Sequence, residues 1–354
     1  MTKKLTKRQI AILDCIRRKK QVGNKDVMEF LKNSFGEVSR ITVVRDLDSL
    51  LKAKLIKKNG SGRSVKYEEF VKNKLLQFFD QEEYFKIPPD KRVDVRDRFN
   101  FEIFSAFTND IFSREEKTEL DKLNNDYRKR IKKLSPTIMK KEFERLTVEL
   151  SWKSSQIEGN TYSLIDTEIL IKEQKEAAGH TKEEAIMILN HKNALNFILE
   201  GKGNFKMLTL QKIEHIHRLL IQNLGVNKNV RKKLVGITGT RFRPLDNTYQ
   251  IREALEKMNA LINNVVLHPL VKALAAILLV SYIQPFEDGN KRTARLLGNA
   301  VLLAHDYCPL SYRSIDEGGY KKATLLFYEQ HSALLFKKLF SDQFRFAVQN
   351  YFSA

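Results

Sequence analysis

Six residues in one short stretch could do chemistry together. They are Asp288, Gly289, Asn290, Lys291, Arg292 and Arg295, within the run SYIQPFEDGNKRTARLLGN at 281–299. An apolar helical pattern follows, with Leu296, Leu297, Ala300, Val301 and Leu303 as its inward positions. Glycine at 289 permits a turn with φ > 0 just before that helix. Successive N–H groups in such a turn, at a helix N-terminus, make a ready anion site. Arg292 and Arg295 are three apart and share one face of the first turn. Two cations there oppose the positive end of the helix dipole. A bound polyphosphate resolves that conflict, because arginine forks grip phosphate oxygens. Asp288 is then placed for a Mg²⁺ that bridges phosphates.

The stretch resembles the signature of the Fic family: His-Pro-Phe, a variable residue, Asp/Glu-Gly-Asn-Gly-Arg, two residues, then Arg. Pro285, Phe286, Asp288, Gly289, Asn290, Arg292 and Arg295 match it. The resemblance implies a mainly α Fic-fold core with a small β-hairpin flap, ATP and Mg²⁺ as ligands, and transfer of AMP to a protein hydroxyl. It puts Gln284, Asn290 and Arg292 at the catalytic positions. Asp288, Gly289, Asn290, Lys291, Arg292 and Arg295 fall around the nucleotide. Two positions depart from the pattern. Gln284 stands where the family has the histidine that deprotonates the target hydroxyl. An amide can orient a hydroxyl but cannot act as a general base near neutral pH, so transfer is expected to be weak or absent. Lys291 replaces the second glycine, which resembles the Doc branch, whose members transfer the terminal phosphate. Pro285, Gly289 and Arg295 resemble the nucleotidyl-transferring branch. An impaired adenylyltransferase, a nucleotide-sensing regulator and a Doc-like phosphotransferase are all open at this point.

Several elements must position this stretch. An apolar run from Ala273 to Ile283 leads into it, opened by His268-Pro269. Neither His268 nor His305 can reach the missing base position along these helices. Ser113 with Glu116 makes a capping box for a charged helix to about residue 134. Pro136 starts another, 136–160, whose last turn reads Ser154-Ser155-Gln156-Ile157-Glu158-Gly159-Asn160. Glu158 at a helix C-terminus opposes the dipole and needs a cation. This turn resembles the Fic inhibitory motif, which implies that Ser154 and Glu158 belong to it and that Glu158 pairs with Arg295. Glu214-His215-Ile216-His217 looks like a metal site. Residues two apart on a helix point in opposite directions, so one buried and one surface histidine is expected. Leu234 to Thr238 reads as a strand, and in the family a flap there clamps a target protein by strand addition. The flap is expected at 233–248.

The N-terminal part carries a different signal. Residues 1–67 hold 18 Lys and Arg against 6 Asp and Glu, in a chain of 354 residues and formal charge +20. Thr6, Asn24 and Ser39 can cap three helices. Their apolar faces are Ile10, Leu13 and Ile16, then Val27, Met28, Phe30 and Leu31, then Val44, Leu47, Leu50 and Leu51. A basic hairpin turns at Asn59-Gly60-Ser61-Gly62. The pattern resembles bacterial winged-helix regulators. It implies that Arg40, Thr42, Val43 and Arg45 face outward toward a DNA groove, while Lys57, Lys58 and Arg63 take phosphates. Duplex DNA is therefore the expected partner of 1–67, with a homodimer compatible but unfixed. A helix is expected over 69–84, ended by Pro88-Pro89, and Phe99 to Phe112 should anchor the chain to the next domain. The expected organisation is a winged helix-turn-helix domain at 1–68, a helical docking segment at 69–112, the Fic domain at 113–330 and a closing helix at 331–354. No run is long enough to span a membrane, and the N-terminus lacks a signal peptide. Cys15 and Cys308 fit buried thiols in a cytoplasmic protein.

Overall fold

A computed structural model describes residues 5–352, with the side chain of Arg63 outside that description. The chain forms two compact units, one through Pro88 and one from Pro89. The segment 69–112 contributes to both.

The first unit contains α1 (Lys7–Lys19), α2 (Asn24–Phe35), α3 (Arg40–Lys52), β1 (Ile56–Asn59), β2 (Lys66–Glu69) and α4 (Gln81–Lys86). Thr6 and Gln9 form a capping box on α1, and Ser39 caps α3. The start of α2 lies one residue earlier than expected. Asp26 accepts the Gly23 N–H at 2.7 Å, so Gly23 is the cap and Asn24 is already helical. The two strands pair antiparallel with Lys58 opposite Tyr67, and Val22 bridges Tyr67 from the other side. Ile12, Cys15, Ile16, Val27, Leu31, Val43, Leu47, Leu50, Ile56 and Tyr67 make the core. Two expectations about faces are corrected here. Ile10 is exposed, and Val43, expected to face outward, is fully buried while Val44 is only half-buried. Adjacent valines leave the period one residue ambiguous, and packing into the shared core settles it. The long helix expected over 69–84 is also absent. Glu68 and Glu69 belong to β2, and the side chains of Asn73 and Asp80 then accept local backbone N–H groups, making separate turns.

The second unit is helical: α5 (Ile103–Ala106), α6 (Arg114–Ile131), α7 (Pro136–Gln156), α8 (Leu164–Glu173), α9 (Lys182–Glu200), α10 (Leu210–Leu220), α11 (Thr248–Asn263), α12 (Pro269–Ile283), α13 (Asn290–Ala304), α14 (Glu317–Gln330) and α15 (Leu334–Asn350). From Leu270 to Ile283 every residue of α12 is buried, which makes it the central rod. His268 caps it, and Pro269 occupies the first helical position where its missing N–H costs nothing. Gly298 lets α13 lie close against it, since a Cβ there would come within 2.5 Å of Ile277. Tyr282 near the end of α12 stacks on Phe99 at 4.5 Å and on Phe242 at 4.6 Å, tying two loop segments to the rod. The β-hairpin flap expected at 233–248 is not formed. That segment holds no strand, and its one bridge pairs Arg243 with Arg98. Strand propensity in Leu234 to Thr238 has no partner strand to satisfy its backbone, so the segment stays a loop. The small sheet of this chain lies in the first unit instead. Among the described residues, no helix is long and apolar enough to cross a membrane.

Candidate functional site: a polar cavity at the α12–α13 corner

The corner begins where α12 stops. Gln284 takes a left-handed conformation (φ 50°, ψ 58°) while its N–H still donates to Val280 O, so the chain turns sharply there. Its amide is held at both ends. Nε2 donates to Ser281 O at 2.6 Å, and Oε1 accepts from Asn290 Nδ2 at 3.0 Å. Asn290 also closes the loop on itself, accepting from Phe286 N–H at 2.9 Å and donating to Phe286 O at 2.8 Å. Gly289 turns the chain into α13 with φ 78°. Arg231, fully buried, braces the corner from outside through Nε to Gln284 O at 2.6 Å and its N–H to Pro285 O at 3.0 Å. His217 stacks on Phe286 at 3.6 Å and its Nε2–H donates to Asp288 O at 3.0 Å. Burial pushes the His217 pKa down to about 4, so the ring is a neutral support near neutral pH.

Three cations, Lys291, Arg292 and Arg295, sit in the first turns of α13, and no acid accompanies them there. Arg292 is 1% exposed. Its Nη2 donates to Asp288 Oδ2 at 2.9 Å, while its Nε and Nη1 are buried without a hydrogen-bond partner. Burial lowers its pKa, yet an arginine stays cationic. Arg295 is fully buried and donates through Nε to Ser154 Oγ at 2.9 Å and through Nη2 to Ser154 O at 2.7 Å. Its Nη2 also lies 2.9 Å from Glu158 Oε1, and the Tyr320 ring lies beside its guanidinium. Glu158 follows the end of α7 in a turn that Gly159 completes with φ 100°. Its other oxygen, Oε2, lies 3.7 Å from Lys291 Nζ. Burial works to raise the Glu158 pKa, but Arg295 and Lys291 outweigh it and leave the carboxyl below its usual range.

These groups open on a cavity of about 500 Å³. Glu158, Gln284, Glu287, Asp288 and Lys291 line one side, and Tyr320, Thr324 and Tyr328 of α14 line the other. Residues 235–238 of the unpaired loop close the rim. Arg292 and Arg295 lie behind this surface. None of the seven histidines lines the cavity.

Residues 207–302 match the model of the Fic/DOC family. Protein adenylyltransferase Fic of Nematostella vectensis is 28% identical over 192 residues, 51% of this chain and 43% of that protein. Protein adenylyltransferase fic-1 of Caenorhabditis elegans is 26% identical over 160 residues, 44% of this chain and 31% of that protein. The chain thus spans under half the length of these curated relatives. Two solved structures share the fold. A Fic domain containing signaling protein from Bacteroides thetaiotaomicron has a TM-score of 0.56 at 21% identity, over 65% of this chain and 94% of that one. Fic-1 from C. elegans has a TM-score of 0.54 at 20% identity, over 66% of this chain and 71% of that one.

Residues 207–302 are a Fic/DOC domain.

Within it, the structure gathers Gln284, Asp288, Gly289, Asn290 and Lys291 on one cavity wall, while Arg292 and Arg295, buried and outside the lining, are bonded to the lining residues Asp288 and Glu158. Ser154 and Glu158 reach the same corner from α7, outside the matched span of the Fic domain. His215 is exposed and His217 buried, so the pair is no metal site. Among the described residues, no three His, Cys, Asp or Glu side chains cluster as a metal site. Asp288, its side chain 64% exposed, is ion-paired with Arg292 at 2.9 Å. The sequence did not point to Arg231, to the α14 wall or to the support that His217 gives the corner. Their roles depend on contacts across long stretches of chain, and only the pairing of an arginine with a broken helical pattern near 231 gave any local signal.

The first unit lies outside the Fic domain. Arg40, Arg45, Lys57 and Lys58 are exposed, while Thr42 is half-buried with its Oγ1 2.9 Å from Ser39 Oγ. Lys57 pairs with Glu68 at 2.8 Å. The Arg63 side chain lies outside the described residues.

Proposed function

We propose that the Fic domain binds ATP with Mg²⁺ as a protein adenylyltransferase scaffold, held off by Glu158 and weakened or silenced by Gln284. The observation that carries this is Arg292, a buried cation with two unpartnered N–H groups beneath a cavity at a helix N-terminus. An orphaned buried donor costs about 1–3 kcal/mol, more when charged, so such groups persist where a ligand completes them. Phosphate oxygens fit both the charge and the fork. Arg292 and the first N–H groups of α13 would hold the phosphates, and Arg295 would join them once Glu158 leaves. Asp288 at the mouth is the group to hold Mg²⁺, which supplies neutralising charge to the phosphates. In AMP transfer a target hydroxyl oxygen bonds to the α-phosphorus and pyrophosphate leaves. Gln284 cannot take the hydroxyl proton, and both ends of its amide are already occupied. The loop at 233–248, rather than a paired hairpin, is the surface for an unidentified target protein.

A second reading rests on the first unit. Three capped helices followed by an antiparallel hairpin, with exposed Arg40, Arg45, Lys57 and Lys58, have the form of a winged helix on duplex DNA. The whole chain would then be a nucleotide-sensing regulator. The Doc-like alternative, phosphate transfer, draws its support from Lys291 alone. Calorimetry with MgATP on the Glu158→Gly variant tests the main reading, and micromolar or tighter binding is expected. No binding overturns it. Transfer of an α-phosphate label marks AMP, and transfer of a γ-phosphate label marks the Doc-like chemistry.

A further inference from the structure

We propose that Lys291 is a second latch on Glu158, holding the inhibitory carboxylate by its free oxygen, rather than a ligand of the nucleotide phosphates.

The geometry divides Glu158 between two cations. Oε1 faces Arg295 at 2.9 Å and Oε2 faces Lys291 at 3.7 Å. The two residues also correct each other's placement. Glu158 sits just past the C-terminus of α7, where a carboxylate opposes the dipole. Lys291 sits in the first turn of α13, where a cation opposes it and no acid of that helix offsets the charge. Bringing the two together relieves both. A single cation leaves a carboxylate free to swing about its Cγ–Cδ bond, whereas one cation on each oxygen fixes its rotation. The side chains of Lys291 and Glu158 are 29% and 20% exposed, so the contact is only partly screened by water. The other groups facing Glu158 are Arg292 from α13 and Tyr320 and Tyr328 from α14. None of them replaces Lys291, because the ion pair of Arg292 is to Asp288 and the tyrosine hydroxyls carry no charge.

The inference rests on the reading of the cavity as a nucleotide site, and it makes the opposite prediction to a phosphate-binding lysine. The experiment is calorimetry with MgATP on the full chain, comparing wild type, Lys291→Met, Lys291→Arg, Glu158→Gly and the double variant Glu158→Gly with Lys291→Met. A latch predicts that Lys291→Met binds MgATP about threefold tighter than wild type, the scale of one partly exposed ion pair. Lys291→Arg restores wild-type affinity. In the Glu158→Gly background, removing Lys291 gives no tightening. Binding by Lys291→Met that is equal to or weaker than wild type overturns the proposal. If no variant binds, the nucleotide reading fails separately, and a thermal-unfolding cycle of Lys291→Met with Glu158→Gln decides the latch. Non-additive shifts in Tm support it, and additive shifts overturn it.

Discussion

The two units carry positive charge in opposite ways. In the Fic domain, Arg292 and Arg295 are 1% and 0% exposed, and their partners are a short roster of named atoms. In the first unit, Arg40, Arg45, Lys57 and Lys58 stand in water. Water completes an exposed cation without help, so exposed charge says only that an anion is welcome. A buried cation with unpaired donors has no such solvent partner, and its position specifies where the anion must be. The difference teaches how to rank the two functional readings. It also predicts that perturbing the buried set has large, all-or-none effects, while perturbing the exposed set has small, graded ones.

The largest expected effect comes from restoring the base. Combining Gln284→His with Glu158→Gly frees the site and supplies the proton acceptor. General-base help typically contributes about 10²–10⁴ in rate. Transfer of label from α-labelled ATP to protein in a lysate should therefore rise by that order over the Glu158→Gly variant alone. If the added histidine changes nothing, the corner is not a transferase site and its buried charge serves binding alone.

Arg292→Ala comes next. Removing the fork leaves Asp288 without its partner and the phosphates without their principal donor. Loss of a buried charged hydrogen-bond partner costs about 2–5 kcal/mol in binding. In the Glu158→Gly background MgATP affinity should fall by at least about thirtyfold by calorimetry. A loss of only twofold would place Arg292 with the exposed cations and erase the contrast.

The corner was legible in the sequence because its residues act at short range. Gly289 turns the chain, Asn290 closes the loop on Phe286, and the arginines follow at one helical turn. Local chemistry of that kind leaves a fixed spacing. The Ser113–Glu116 box and the Thr6 cap were legible for the same reason. What failed was whatever required a partner distant in the chain. Leu234 to Thr238 has strand composition but no strand beside it. Residues 69–84 favour helix locally, yet 66–69 are drawn into a hairpin with 56–59. Val43 and Val44 are indistinguishable until the core of the unit covers one of them. The α14 wall could not be read at all, because Tyr320, Thr324 and Tyr328 look like ordinary positions of an amphipathic helix.

Between the two extremes lies Glu184. It caps α9 and also accepts from Thr161 N–H at 2.7 Å, fastening the corner that follows the Glu158 turn. The Thr161 hydroxyl and the Thr181 N–H are the main causes that hold its pKa down to about 2 from 4.5. A depressed carboxyl contributes stability that is present above its unfolded pKa and lost as pH falls through its folded value. The contribution should therefore be complete at pH 7 and vanish between about pH 4.5 and 2. Allowing for screening at this partly exposed site, Glu184→Gln should cost about 2 kcal/mol at pH 7 and flatten the acid limb of stability measured by urea unfolding. An unchanged acid limb would mean that these hydrogen bonds add nothing beyond what water provides.

The smallest effect belongs to the wing of the first unit. Lys57 and Lys58 are neighbours on β1 with opposite surroundings. The ammonium of Lys57 is already paired with Glu68 at 2.8 Å, so a DNA phosphate must compete with a carboxylate for it. Glu68, whose pKa is lowered chiefly by that Lys57 contact, keeps its charge throughout the neutral range. Lys58 is exposed as well, but it stands opposite Tyr67 in the pairing, on the Ile56 face of the strand. If the hairpin binds phosphates, each lysine in contact releases about one counterion. Lys58→Ala should then weaken binding of full-length protein to duplex DNA by about three- to tenfold and lower the salt slope by about one. Lys57→Ala should do less, since it removes a partly neutralised charge. Fluorescence anisotropy across a salt series reads both numbers. Equal losses at the two positions would mean that DNA strips Glu68 away from Lys57. Binding that shows no salt dependence in wild type would remove the DNA reading, leaving the basic face of this unit as a docking surface for another protein.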